Sequence, residues 1–369
     1  MPPLNVMIKP ASGRCNLRCR YCFYADEVSN RGTPDFGMMS DRTAEQIVKK
    51  TFDFADGACS FGFQGGEPTL RGLDFFRRFT ELVEKYNRKR IPVSYMLQTN
   101  GTRIDESWAD FFYENNFLIG LSLDGDKALH DEQRVDADGK GTFSQVQKAA
   151  NVLGCACVDF NVLTVVTRQT ARNIQRIYSF FMKNGLYYQQ YIPCIDPLFT
   201  QRGAQPYSLK PEDYQTFLIR LFDLWYRDRM EGRFVYIRYF ENLAGMLLGR
   251  APESCTLRGQ CTRQIVVEAD GTAYPCDFYM LDEYKIGSFL HDTVEDMMRN
   301  QNSRRFLQEA GYISADCKDC EFGFLCRGGC RRDRQGLDLH SLEKNYFCSA
   351  FQTFLPYAAP KILQLIREE

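Results

Sequence analysis

Three cysteines open the chain in the run Cys15-Asn16-Leu17-Arg18-Cys19-Arg20-Tyr21-Cys22, spaced by three and then two residues. Soft thiolate sulfur suits iron–sulfur chemistry, and three thiolates can hold three corners of a 4Fe–4S cubane. No fourth cysteine follows nearby, so one iron stays open to a substrate or cofactor. An open iron makes a catalytic cluster, where a fully ligated one would serve only to carry electrons.

Eight further cysteines lie beyond residue 250: Cys255, Cys261, Cys276, Cys317, Cys320, Cys326, Cys330 and Cys348. Eight thiolates suffice to ligate two more 4Fe–4S clusters completely. Zinc is the rival, because Cys-x-x-Cys pairs such as Cys317 and Cys320 also build tetrahedral zinc sites. Iron–sulfur is favoured because the opening loop implies cluster chemistry, which needs an electron supply. The other four of the fifteen, Cys59, Cys155, Cys157 and Cys194, are scattered in apolar surroundings and read as buried small hydrophobes.

These groups need a scaffold, and the pattern supplies one. Strand-like apolar runs at 4–10, 59–64, 93–99, 117–123, 160–167 and 188–193 alternate with helical patterns. A helix start at Ser40 and helices at 73–86, 105–115, 143–153 and 173–183 fill the gaps. Six such units imply an α/β fold with a parallel sheet, too short for a closed eight-stranded barrel and therefore a partial (β/α)6 TIM-like barrel. Chemistry in such sheets gathers at the C-terminal strand ends. The cysteine loop, Gly65-Gly66-Glu67-Pro68, Asn100-Gly101 and the stretch from Ser122 to Asp124 all fall there. Beyond them the pattern predicts amphipathic helices at 210–231 and 236–248 and a hairpin at 264–278 turning on Asp270-Gly271. A helix near 293–310, an irregular cysteine-rich stretch and a terminal helix from about Tyr346 follow.

A formal net charge of -1 gives no basic field for nucleic acid. No apolar run approaches the ~18 residues of a membrane span. The start Met1-Pro2-Pro3-Leu4 lacks a basic-then-apolar signal pattern, so a soluble, cytoplasmic chain is expected.

The motif Cys15-x3-Cys19-x-Tyr21-Cys22, followed by Gly65-Gly66-Glu67-Pro68, resembles the signature of the radical S-adenosylmethionine (radical SAM) superfamily. Cys261-x9-Gly271-x4-Cys276, then Cys317-x2-Cys320-x5-Cys326-x3-Cys330, then Cys348, is similar to the seven-cysteine pattern of SPASM domains. Several stretches make the anaerobic sulfatase-maturating enzymes the nearest resemblance. They are Lys9-Pro10-Ala11, Cys22-Phe23-Tyr24, Phe63-Gln64-Gly65-Gly66-Glu67-Pro68-Thr69, Leu97-Gln98-Thr99-Asn100-Gly101, Tyr274-Pro275-Cys276-Asp277-Phe278-Tyr279 and Gly328-Gly329-Cys330-Arg331-Arg332. The expected division is a barrel over 1–234 and a cluster-bearing domain over 235–369.

The resemblance implies oxidation of a cysteine or serine in a sulfatase to Cα-formylglycine, using S-adenosylmethionine and three 4Fe–4S clusters. Cys15, Cys19 and Cys22 hold the open cluster. Cys255, Cys261, Cys276 and Cys330 hold an inner auxiliary cluster, and Cys317, Cys320, Cys326 and Cys348 an outer one. Cys255, outside the seven-cysteine pattern, supplies the eighth thiolate. Gly65 and Gly66 admit the methionine part, Glu67 accepts from its ammonium, Ser122 and Arg134 face ribose and carboxylate, and Tyr21 meets the adenine region. Gln64 and Ile195 complete the cofactor-side set, and Tyr24 and Gln64 are also candidate substrate contacts. Asp277 is implied as the base that takes the substrate's proton; as a lone residue it would read as a capping aspartate. The implied partners are a Cys/Ser-x-Pro-x-Arg segment and an electron donor such as flavodoxin or ferredoxin, acting on a monomer. The alternatives are a SPASM peptide maturase forming thioether or other crosslinks, and a non-catalytic iron–sulfur carrier or zinc scaffold.

Overall fold

In β1 (Leu4–Ile8), Leu4, Val6 and Ile8 are buried while Asn5 faces outward, the period-two burial of a pleated strand. The computed structural model describes residues 3–262 and 264–368. The chain forms two units, one of Met1–Ser122, Arg134–Phe160 and Arg263–Phe306, the other of Leu123–Gln133, Asn161–Thr262 and Leu307–Glu369.

The first unit continues through β2 (Cys59–Phe63), β3 (Val93–Thr99) and β4 (Phe117–Ser122), each parallel to the one before, in registers Leu4↔Cys59, Cys59↔Val93 and Tyr95↔Phe117. The helix Asp41–Phe54 starts where expected, with the Ser40 hydroxyl accepting from the Thr43 N–H. The helix Leu73–Tyr86 presents Phe75, Phe76, Phe79 and Val83 to the sheet. Phe79 meets Phe61 and Phe63 with ring centroids 5.1 and 5.0 Å away. Each such buried ring contributes about 2 kcal/mol of transfer free energy.

The second unit carries β5 (Phe160–Val166), β6 (Tyr188–Pro193) and β7 (Tyr236–Ile237), again parallel. Its core is the helix Pro211–Met230 packed along the terminal helix Cys348–Glu368, with the Tyr214 ring tilted against Phe347 at 4.7 Å and Phe222 near Phe354 at 5.8 Å.

The chain then returns to the first unit. β8 (Gln264–Val267) and β9 (Thr272–Tyr274) form the expected hairpin, and Gly271 at its Asp-Gly turn takes the left-handed φ of +92° that favours glycine. β10 (Gly287–Ser288) adds to β9. The sequence pattern does not announce that β8 pairs parallel with β1, Asn5↔Gln264 through Ile8↔Val267. The first unit's strand order is therefore β10-β9-β8-β1-β2-β3-β4.

Three expectations need correction. The helix read at 236–248 begins as β7, because Tyr236 and Ile237 pair with β6, and turns helical only over Arg238–Leu247. The helix read near 293–310 is two, Val294–Arg299 and Gln301–Ala310; Asn300 is extended between them and its side-chain oxygen accepts from the Asn302 N–H. Cys59 and Cys194 are buried as expected, but Cys155 and Cys157 are exposed. They sit where the helix Phe143–Cys155 ends in a turn, with Cys157 at φ +54°. No helix among the described residues is long and apolar enough to cross a membrane.

Candidate active site

The cysteine loop leaves β1 at Lys9, whose N–H continues the β8 pairing to the Val267 carbonyl at 2.8 Å. The loop after β2 closes on it. The Glu67 N–H donates to the Arg14 carbonyl at 2.8 Å, and a Cβ on Gly66 would stand 2.1 Å from that same oxygen. A Cβ on Gly65 would stand 2.1 Å from the Lys9 side chain. The two glycines, at φ +91° and +53°, thus permit one site loop to lie directly on another.

Within the opening loop the Cys15 sulfur accepts from the Leu17 N–H at 3.4 Å and from the Asn100 side-chain amide at 3.9 Å. Asn100 also donates to the Asn16 side chain at 2.9 Å, so the end of β3 orients the loop. Burial pushes the Cys15 thiol up to about 11, with the Glu67 and Cys22 charges adding to the rise. Cys19 is half-buried and Cys22 exposed. A Cys15 sulfur that accepts from two N–H donors, with the more open Cys22 in its electrostatic reach, fits a cluster that the loop holds by one side.

Glu67 is 1% exposed. Its Oε1 accepts from the Thr69 N–H, the Thr69 hydroxyl and the Thr99 hydroxyl, and its Oε2 from the Asn100 N–H at 2.8 Å. Burial pushes its carboxyl up against these donors. The carboxylate therefore ties the β2 loop to the β3 end. Ser122, at the end of β4, accepts from the Gln98 amide at 3.0 Å. Tyr21 and Arg134 are both buried and adjacent, the guanidinium 5.4 Å from the ring centroid. Ile195 belongs to the second unit, half-buried two residues after β6 ends.

Asp277, 6% exposed, follows Cys276 after β9. One carboxylate oxygen pairs with the Lys9 ammonium and the other accepts from the Gln64 amide at 2.9 Å. Three strand ends, those of β1, β2 and β9, thus meet on one carboxylate. Lys9 is fully buried, and its ammonium also lies 4.6 Å from the Tyr24 ring centroid. Tyr24 turns its hydroxyl to Glu268 at 3.0 Å, and Arg31 pairs with the same Glu268 oxygen at 2.7 Å. Glu268 is fully buried and Arg31 nearly so. Burial, with the Glu268 charge behind it, pushes the Tyr24 phenol well up.

Lys9, Glu268 and Arg31 were absent from the sequence-based candidates. The usable signal is a charge ending an apolar strand: Lys9 closes Leu4-Asn5-Val6-Met7-Ile8, and Glu268 closes Ile265-Val266-Val267. A charge at the C-terminal end of a buried parallel strand faces the side where such sheets keep their chemistry.

The C-terminal thiols fall into sets. Cys317, Cys320, Cys326 and Cys348 line one cavity of about 230 Å³ in the second unit. Burial pushes Cys326 up to about 11, with the Cys348, Cys317 and Cys320 charges raising it further. In the same unit Cys255, Cys261 and Cys330 sense one another: burial first, then Asp333, Cys261 and Cys255, push Cys330 up. Cys276 lies in the first unit beside Asp277. No three His, Cys, Asp or Glu groups among the described residues are drawn tightly enough together for a single metal ion. Four thiols lining one cavity match the four ligands that a 4Fe–4S cluster needs.

The pattern of the Radical SAM superfamily matches residues 10–181, and that of an iron–sulfur cluster-binding domain, SPASM, matches residues 255–321. A cysteine-type anaerobic sulfatase-maturating enzyme of Clostridium novyi is 48% identical over 96% of this chain and 95% of its own length. A serine-type enzyme of Bacteroides thetaiotaomicron is 30% identical over 97% of this chain and 90% of its own. The solved structure of native anSMEcpe with bound AdoMet and the Cp18Cys peptide superposes with a TM-score of 0.95 at 44% identity, covering 100% of this chain and 99% of that one. The structure of Streptococcus suis SuiB bound to precursor peptide SuiA shares the fold, with a TM-score of 0.64 at 17% identity over 94% of this chain and 76% of that one.

Proposed function

This chain belongs to the anaerobic sulfatase-maturating enzymes, radical SAM proteins with a SPASM domain, and from that premise we propose how its own residues divide the work. It is an oxidoreductase that converts a cysteine or serine of a sulfatase to Cα-formylglycine with S-adenosylmethionine and iron–sulfur clusters. Cysteine is the residue oxidised; what supports this is 48% identity to a cysteine-type enzyme against 30% to a serine-type one.

When bound, S-adenosylmethionine on the opening cluster supplies a 5′-deoxyadenosyl radical that takes a hydrogen atom from the target β-carbon, and the auxiliary clusters supply an electron acceptor. Cys15, Cys19 and Cys22 hold the first group, with Leu17 and Asn100 orienting Cys15. Cys317, Cys320, Cys326 and Cys348 hold the outer auxiliary cluster, supported by their common cavity. Cys255, Cys261 and Cys330 hold the inner one, with Cys276 as the fourth ligand that the family resemblance adds. That makes three clusters in all.

After the hydrogen atom leaves, the thiol proton and a further electron must go to give a thioaldehyde, which water converts to the aldehyde with release of hydrogen sulfide. Asp277 takes the proton. The observation that carries this role is a nearly buried carboxylate next to Cys276, oriented through both oxygens by Lys9 and Gln64. Tyr21, Gly65, Gly66, Ser122 and Arg134 shape the cofactor side, supported by the Tyr21–Arg134 contact and by Glu67 locking the β2 and β3 loops together. A small electron carrier such as flavodoxin or ferredoxin supplies the reducing electron to the monomer.

The test is anaerobic incubation of a Cys-x-Pro-x-Arg peptide with reconstituted protein, S-adenosylmethionine and a reductant, read by mass spectrometry. Thiol-to-aldehyde conversion is expected. An unmodified peptide beside abundant 5′-deoxyadenosine would mean a different substrate.

A further inference from the structure

The helix Arg331–Arg334 begins immediately after Cys330 and carries three arginines that are all buried: Arg331 at 1%, Arg332 at 7% and Arg334 at 4% exposure. Their charges are answered differently. Arg331 pairs with the Glu309 carboxylate at 2.7 Å. Arg334 spends its guanidinium on main-chain carbonyls: Tyr312, Ala310 at 2.7 Å, and Cys330 itself at 3.5 Å. Arg332 donates to the Asp196 carbonyl at 2.9 Å, and its N–H points at the Cys330 sulfur at 3.3 Å. Arg202 likewise donates to the carbonyls of Arg332 and Gln335. Among the described residues no carboxylate stands within ion-pair distance of Arg334. Asp333 lies in electrostatic reach of Arg202, Arg332 and Arg334 together, and one carboxylate leaves most of that positive charge unanswered.

Carbonyl bonds satisfy the guanidinium protons but do not cancel its charge. A buried charge without enough opposite charge is strongly disfavoured, so a cation kept there needs a further anion nearby. The Arg334 Nε lies 3.5 Å from the Cys330 carbonyl, so the guanidinium stands beside that ligand's own main chain. An iron–sulfur core with four thiolates is a net anion, and it becomes more so on reduction. A fixed cation beside it favours the reduced form.

We propose that Arg334 is the counter-charge of the inner auxiliary cluster and holds its reduction potential above the value that the thiolates alone would set. Arg334 is thus a tuning residue for electron acceptance: a higher potential lets the cluster take the electron that leaves with the substrate's proton. The inference rests on the reading that Cys255, Cys261 and Cys330 hold a cluster.

The experiment is a reductive titration of the reconstituted full chain followed by electron paramagnetic resonance, with and without S-adenosylmethionine. The couple that responds to S-adenosylmethionine belongs to the opening loop, and the other two are auxiliary. Arg334→Gln should make one auxiliary couple about tenfold harder to reduce, about 59 mV for one electron, and leave the other two in place. Arg334→Lys should keep that couple near its native potential. Loss of the cluster in Arg334→Gln with a native potential in Arg334→Lys also supports a role for charge. Unmoved potentials in both variants overturn the proposal. So does an equal fall in both, which would assign the effect to hydrogen-bond geometry, and so does loss of the cluster in both, which would make Arg334 structural. If the native protein shows only one auxiliary couple, the underlying cluster reading fails instead.

Discussion

Asp277 is held by two side chains from two other strand ends, and its variants should separate chemistry from architecture. Asp277→Asn keeps the size and one acceptor. It should cut aldehyde formation by roughly 10²-fold or more while iron content and S-adenosylmethionine binding stay near native; near-normal turnover of a target peptide would sink the role. Lys9→Met removes the cation from a buried pair and leaves Asp277 buried without it. A loss of roughly 3–5 kcal/mol is expected, read as a lowered thermal midpoint together with reduced aldehyde yield. An unchanged midpoint would mean that Asp277 finds water in place of the ammonium. At this scale the sequence was only half legible. Asp277 came from its motif, and no periodicity would have separated it from a hairpin-capping aspartate. Lys9 was quoted only as part of a lead-in, because nothing in a local window reveals a carboxylate 268 positions away. Tyr24 read as a candidate substrate contact, and nothing in its sequence neighbourhood announced that its hydroxyl bonds Glu268.

Among the elements, the loops rather than the strands decide whether the site closes. Gly66→Ala would drive a methyl group against the Arg14 carbonyl, and main chain yields less readily than a side chain. The expected result is loss of the opening cluster's iron and of 5′-deoxyadenosine formation, with the auxiliary iron retained. A native iron count in that variant would show that the two loops can separate without harm. The strands themselves were legible, because each buries alternate residues or ends in a polar turn: five of the six barrel strands were placed within about one residue of each end. The short helices Phe23–Ser29 and Lys127–Gln133 were not, since two turns are too few to impose a period. The strand at Tyr236 also escaped, because it depends on β6 as a partner, and so did the split at Asn300, because one side-chain bond to the Asn302 N–H interrupts the helix without disturbing its period.

For the whole molecule, the cysteine spacings in the last third carried most of what the sequence could say. They give eight thiols, enough for two clusters, and the fold brings Cys317, Cys320, Cys326 and Cys348 to one cavity. Cys348→Ala should lower bound iron by one cluster and lower aldehyde yield with it, while S-adenosylmethionine is still cleaved. Full iron and full yield would contradict the eight-ligand reading. What no spacing conveyed is that β8 completes the sheet that β1 begins, with a register running from Asn5↔Gln264 to Ile8↔Val267. That pairing has a consequence for how the protein is made. During synthesis β1 waits for some 260 residues before its second neighbour, β8, emerges, and contacts so distant in sequence form late. Until then Lys9 has no Asp277, and the opening loop has only the β2 side to rest on. A chain released at residue 262 should therefore accumulate as an insoluble or iron-poor product. Cluster insertion at Cys15, Cys19 and Cys22 should in this sense follow the arrival of a hairpin rather than the appearance of the cysteines themselves.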